Sequence, residues 1–156
     1  AMVGEGKNLR LPDPGAFTEF LADYLAALPT NPILRLKDNL FNILARENRR
    51  HLNGGCTGHG CGAAFNFISL LPDGDVHACR KFPSRIGSIK QASLLEIYQS
   101  RLAARYRQGP SACQGCDLWA VCRGCPAVIY SMGLDCFEDR DPFCSYLDAP
   151  SGLAGH

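Results

Sequence analysis

Residues 113–125 read Cys113-Gln114-Gly115-Cys116-Asp117-Leu118-Trp119-Ala120-Val121-Cys122-Arg123-Gly124-Cys125, a C-x2-C-x5-C-x2-C run. Spacings this short let one loop deliver several sulfurs to neighbouring corners of a metal site, while the remaining corners must come from distant segments. Working outward, Cys56-x4-Cys61 and Gly74-x4-Cys79 lie upstream, and Cys136 and Cys144 follow downstream. The chain has 9 cysteines. A 4Fe–4S cluster takes four thiolates, so two clusters use eight and leave one over. Two tetrahedral zinc ions would use the same number, and spacing alone leaves that reading open.

Composition narrows the class. The 156 residues, 46% of them hydrophobic, allow one modest core with an appendage, but not a (β/α)8 barrel, which needs roughly 200 residues or more. A formal net charge of +1 calls for no nucleic-acid or membrane partner. No apolar run approaches the ~18 residues of a membrane helix. The first residues, Ala1-Met2-Val3-Gly4-Glu5-Gly6, lack the apolar stretch of a signal peptide and read as a flexible lead or tag remnant. These features point to a reducing cytoplasm, where cysteine clusters hold metal more often than they form disulfides. An odd cysteine count also argues against a disulfide-stapled secreted domain.

The rest of the chain reads as an α+β protein: a small cysteine-rich domain with a short β-hairpin and several helices, preceded by two amphipathic helices. Residues 1–12 are the lead. Asp13-Pro14 marks a helix start, followed by Phe17, Phe20, Leu21, Tyr24, Leu25 and Leu28 at helical spacing. Asn31-Pro32 repeats that signal. Ile33, Leu36, Leu40, Ile43 and Leu44 form a second stripe, with Arg46, Arg49 and Arg50 favourable at its end. Residues 13–55 are thus expected to be a helical linker or packing region. Phe65–Leu71 and Asp75–Cys79, joined by Pro72-Asp73-Gly74, predict a hairpin. Ser93-Leu94-Leu95-Glu96 is a capping box. It should open one helix with Leu94, Leu95, Tyr98, Leu102 and Tyr106 on one side, closed by Gly109-Pro110. Pro126 and Gly133 bracket a short helix, and the tail at 149–156 is expected to be disordered.

C-x4-C, G-x4-C, the central run and the ending Asp141-Pro142-Phe143-Cys144 together resemble the SPASM domain, the auxiliary-cluster domain of many radical S-adenosylmethionine enzymes. The resemblance covers about residues 56–146, within an expected domain of 56–148. The family's usual C-x3-C is here one residue shorter, at Cys122-Arg123-Gly124-Cys125. The resemblance implies one 4Fe–4S cluster on Cys56, Cys61, Cys79 and Cys125, and a second on Cys113, Cys116, Cys122 and Cys144. Cys136 is then the spare thiol: a hydrogen or proton donor to substrate, an inert buried residue, or a replacement for Cys144. The core of that enzyme class needs a C-x3-C-x2-C loop, which this chain lacks. Alone it should therefore be inactive, with S-adenosylmethionine and a third 4Fe–4S cluster bound by a barrel elsewhere in the same polypeptide. The implied partners are that barrel, a precursor peptide or protein substrate, and a flavodoxin- or ferredoxin-type reductant. The stretches 61–67 and 141–144 are also similar to maturases of selenobiotic-type peptides. Two other readings stay open: a free-standing electron carrier and a zinc-stabilised peptide-recognition module.

Several neighbours bear on the site. Arg80, Lys81 and Arg85 follow Cys79 and are either a solvated patch or a cationic surround that raises cluster potential. His59 lies between Cys56 and Cys61 as an alternative ligand or a loop residue. His77 should share a strand face with Cys79. Leu118, Trp119 and Val121 are expected to keep water from the second cluster.

Overall fold

The computed structural model describes residues 6, 8–36, 38–54 and 58–146, so Cys56 and the tail beyond Asp148 lie outside the described residues. Five helices and a small antiparallel sheet make up the described chain, in an α+β arrangement. Helix α1 spans Pro14–Ala27, opened by the Asp13 carboxylate accepting from the Ala16 amide at 3.0 Å. Helix α2, Phe41–Glu47, is much shorter than the apolar stripe predicts. Residues 31–36 form one turn at 32–33 and irregular backbone instead, because the Asn31 side chain accepts from the Ile33 amide at 3.1 Å and competes with helical bonding. Ile33 is consequently 86% exposed. Among the described residues, no helix is long and apolar enough to cross a membrane.

The expected hairpin forms, but differently. Strand β1 is only Ser69–Leu70; β2 is Asp75–His77, with Ser69 opposite His77 and Leu70 opposite Val76. Residues 64–66 form a turn rather than a strand. A third strand, β3 at Arg85–Ser88, adds to β2 and was not read from the sequence. Its Gly87 lies so close to Ile97 that a Cβ there would sit 2.8 Å from a side-chain carbon. The capping box at Ser93 and Glu96 is present, opening α3 at Leu94–Gln99. The single helix expected beyond it is two, because Ser100 leaves helical geometry and caps α4, Arg101–Gln108, accepting from the Ala103 amide. The break rotates the apolar face: Ile97 and Ala103 are buried, whereas Leu94, Leu95 and Leu102 are exposed. A 3-10 turn at Ser111–Cys113 and helix α5, Pro126–Ser131, complete the elements.

Three small cores follow. Val76, Ala78, Ile86, Ile97 and Ala103 join the sheet to α3 and α4. Ala63, Cys79, Phe82 and Ala127 form the second. The third holds Leu21, Leu40, Phe41, Ile43, Leu118 and Cys122, so α1 and α2 are packed on the central cysteine run itself. Phe17 reinforces that contact, its ring centroid 4.8 Å from that of Phe143. Leu118, 2% exposed, is at the centre of this third core, and burial of such a side chain contributes about 2 kcal/mol.

Candidate metal centres

The central run folds as a chain of tight turns. The Cys116 amide donates to the Cys113 carbonyl, Trp119 to Cys116, and Val121 to Leu118. Arg123 and Gly124 then adopt left-handed backbone conformations, φ 65° and 64°. Two such residues in succession reverse the chain within the C-x2-C link, so Cys122 joins the core with α1 and α2 while Cys125 packs against Cys79 and Ala127. The shortened spacing thus directs adjacent cysteines into different surroundings. Arginine in this region carries a strain of about 1 kcal/mol or more.

One cavity is lined by Cys113, Cys116, Cys122 and Cys144 together. Leu40, Ile43, Leu118 and Trp119 form its apolar wall. Trp119 is held by its indole N–H donating to the Gln108 carbonyl at 3.0 Å. Val121 packs nearby in the same core. Burial pushes the Cys113 thiol up to about 11 and the Cys122 thiol to about 12, with neighbouring sulfurs adding to both. Opposing this at Cys122, the Gly124 amide donates to its sulfur at 3.4 Å. Cys144 is raised too, chiefly by burial. Two arginines, Arg123 and Arg140, border the same cavity, and the buried Nε of each has no hydrogen-bond partner among the described residues.

The second grouping brings Cys61, Cys125 and Cys136 against the core that contains Cys79. Cys79 is set by a tight turn in which its amide donates to Ser84 Oγ and Ser84 Oγ donates back to its carbonyl. Burial raises the Cys125 thiol, partly offset by the Val128 and Ala127 amides at the start of α5. A second cavity is bordered by Cys61 and Cys136, with Tyr106, Arg107 and Arg123 in its wall. Cys136 therefore stands apart from the cavity that Cys144 lines. No disulfide joins Cys79, Cys113, Cys116, Cys122, Cys125, Cys136 or Cys144.

Other expected neighbours have different partners. Arg85 pairs with Asp75 at 2.6 Å on the exposed face of the sheet. His77 Nδ1 accepts from the Ser84 amide at 3.1 Å and so braces the turn carrying Cys79. The His59 ring packs 4.7 Å from Phe65.

Three polar residues have roles that the sequence reading did not assign. Asn42, 1% exposed, donates to the Asn53 and Val121 carbonyls and accepts from the Asn53 amide. It thereby ties α2 to the segments leading into Cys56 and Cys122. Asp141 accepts from the Cys125 amide at 2.9 Å and the Phe143 amide at 3.1 Å, linking the two groupings. Arg123 is the third. A polar residue inside an apolar helical stripe was the available signal for Asn42; Arg123 offered only the shortened spacing.

Residues 61–126 match the family model of the SPASM domain, an iron-sulfur cluster-binding domain. Over that span the chain is similar to SPASM domains. Cys61, Cys79 and the whole central run lie inside the matched span, while Cys136 and Cys144 follow it. The chain is also 31% identical over 96 residues to the AdoMet-dependent heme synthase of Methanosarcina barkeri (strain Fusaro / DSM 804). That likeness covers 59% of this chain and 26% of the relative, so it spans about a quarter of that protein's length. No solved structure gives a significant match.

The residues present suit the cofactor that a SPASM domain binds. The first cavity offers four soft thiols, and Arg123 and Arg140 supply N–H donors lacking acceptors, as an anionic thiolate cage requires. Among the described residues, no three Cys, His, Asp or Glu side chains form a group suited to a single ion.

Proposed function

We propose that this chain is the auxiliary-cluster module of a longer radical S-adenosylmethionine enzyme and holds two 4Fe–4S clusters. One would sit on Cys113, Cys116, Cys122 and Cys144. The other would use Cys61, Cys79 and Cys125, with Cys56 as the fourth thiol implied by the sequence. The observation that carries the reading is the first cavity: four thiols, three from the central run and Cys144 from beyond it, an apolar wall, and two arginines whose buried Nε donors have no acceptor among the described residues. Bound there, a 4Fe–4S cluster supplies one-electron acceptance and relay.

The protein's own contribution is electrostatic and steric. Leu118, Ile43 and Trp119 border the cavity and restrict water, which keeps the local dielectric low. Arg123 lines both cavities and places one cation between the two groupings. The Gly124 amide donates to sulfur, and such donors raise a cluster's potential. The thiol-rich donor set supports a reducing, cytoplasmic setting. An obligate partner barrel would bind S-adenosylmethionine and a third cluster, and a flavodoxin- or ferredoxin-type protein would supply electrons.

For the substrate, the closing Asp141-Pro142-Phe143-Cys144 and its resemblance to peptide maturases support a peptide or protein acceptor. A second reading, favoured by the name of the archaeal relative, is a haem precursor. Anaerobic reconstitution tests the cluster reading: about eight irons and eight sulfides per chain, four for each cubane, with a broad brown absorption. A colourless protein holding zinc would sink it. The full-length enzyme then separates the substrates by whether a precursor peptide or a haem precursor stimulates 5′-deoxyadenosine release.

A further inference from the structure

The cavity with four thiols takes three of them from the central run, whose own turns hold it, and the fourth, Cys144, from a segment beyond. We propose that Arg46, Asp117 and Tyr146 form a clasp that pins this segment at the cavity and keeps Cys144 at the fourth corner. The three act as positioning residues for a thiol, and the proposal rests on the cluster reading of that cavity given above.

Geometry is the first argument. Asp117 follows Cys116 directly; Tyr146 lies two residues after Cys144 and lines the same cavity. The Tyr146 hydroxyl donates to Asp117 Oδ2 at 3.0 Å, and Arg46, in the last turn of α2, donates to that same oxygen at 3.1 Å. One carboxylate oxygen thus joins three segments: α2, the central run and the stretch that carries Cys144. Ile43, one turn before Arg46 on the same helix face, lines the cavity. The tie therefore lies along the wall that α2 supplies.

The second argument is what else holds the segment. Ahead of Cys144 it is anchored at Asp141, whose carbonyl accepts from the Cys144 amide at 2.9 Å and whose carboxylate accepts from the Phe143 amide at 3.1 Å. Beyond Cys144, among the described residues, Tyr146 makes the hydrogen bond that reaches another segment. A thiol anchored on one side can swing about that anchor, whereas one anchored on both sides is held, as a rigid cage demands.

Tyr146 also divides its two tasks between ring and hydroxyl. The ring packs against the core that α1 and α2 share with the central run, a contact that is favourable but non-directional. The hydroxyl selects one position along that surface. The Arg46 and Asp117 side chains are 54% and 56% exposed, so their pairing is weak and screened by salt. The clasp is a fastening that opens more readily than a core contact.

The test uses the full 156-residue chain, reconstituted anaerobically and then exposed to an iron chelator, with each cluster followed by electron paramagnetic resonance after reduction. Cys144→Ala identifies the signal that belongs to this cavity. Tyr146→Phe keeps the ring and removes the tie. It is expected to speed loss of that signal about three- to tenfold, the worth of one hydrogen bond, and to leave loss of the other signal unchanged. Because both partners act through Asp117, the double variant Asp117→Ala/Tyr146→Phe is expected to lose the cluster no faster than Asp117→Ala alone. Equal loss in wild type and Tyr146→Phe, equal acceleration of both signals, or additive effects in the double variant overturns the clasp. A wild-type chain that takes up zinc instead of iron refutes the cluster reading, and the rate at which Tyr146→Phe releases the Cys144-dependent zinc still decides the clasp.

Discussion

Arg123 concentrates the chemistry of the site in one side chain. Its guanidinium donates to the Arg107 carbonyl at 2.6 Å and to those of His59 and Ala120, and it stacks 4.7 Å over Trp119. Burial lowers its pKa from the ordinary value, yet arginine remains protonated throughout the working range. A fixed positive charge bordering both cavities stabilises the more negative, reduced form of whatever cluster is bound. Arg123→Gln is therefore expected to move both midpoint potentials to more negative values in a redox titration followed by electron paramagnetic resonance. If neither midpoint moves, the cation does not act on the clusters. None of this was legible from residue type: a lone arginine between cysteines gives no sign of its burial. The shortened C-x2-C was the only hint, since a two-residue reversal requires left-handed backbone at Arg123 and Gly124. Gly124 also has little room for a side chain, a Cβ there standing 3.0 Å from that of Asp141.

Among the elements, local signals located starts better than lengths. Asp13, Ser93 and Pro126 each open a helix where capping chemistry places one. The stripe from Ile33 to Leu44 overstated α2, because apolar spacing says nothing of the Asn31 turn that takes up its first residues. Strand β3 was missed because Arg85–Ser88 is short and partly polar; pairing with β2 and packing on Ile97 make it a strand. Asn42 shows the converse, a polar residue whose value depends wholly on two loops brought beside α2. Asn42→Ala strands the Asn53 and Val121 groups it satisfies and is expected to cost about 2 kcal/mol, read as a lower urea midpoint. A change below about 0.5 kcal/mol, the range of a neutral surface substitution, would show that water replaces it.

Across the whole molecule, no single core is large, and the cysteine groupings lie where the cores meet. Cys122 belongs to the core shared with α1 and α2, Cys79 and Cys125 to the next, and Asp141 bridges them. Metal held by these groupings would therefore tie together segments that apolar contacts hold only partly. Buried thiols with raised pKa values also favour the protonated, metal-free state at neutral pH unless metal charge compensates. Stripping the iron anaerobically with a chelator is expected to broaden the thermal transition and lower Tm by roughly 10 °C or more, equivalent to a few kcal/mol at this size. An apo chain melting as sharply and as high as the loaded one would mean the cores suffice alone.

By itself, the order of cysteines, glycines and caps determined that this chain is a small α+β protein with thiolate metal chemistry, since ligand number and turn residues are local properties. Only the tertiary structure decided which sulfurs share a cavity, that α1 and α2 cover one site, that Cys136 lies with Cys61, and that Arg123 is buried between the two groupings. Those are facts of convergence. They depend on how distant segments pack, which spacing along a chain does not encode.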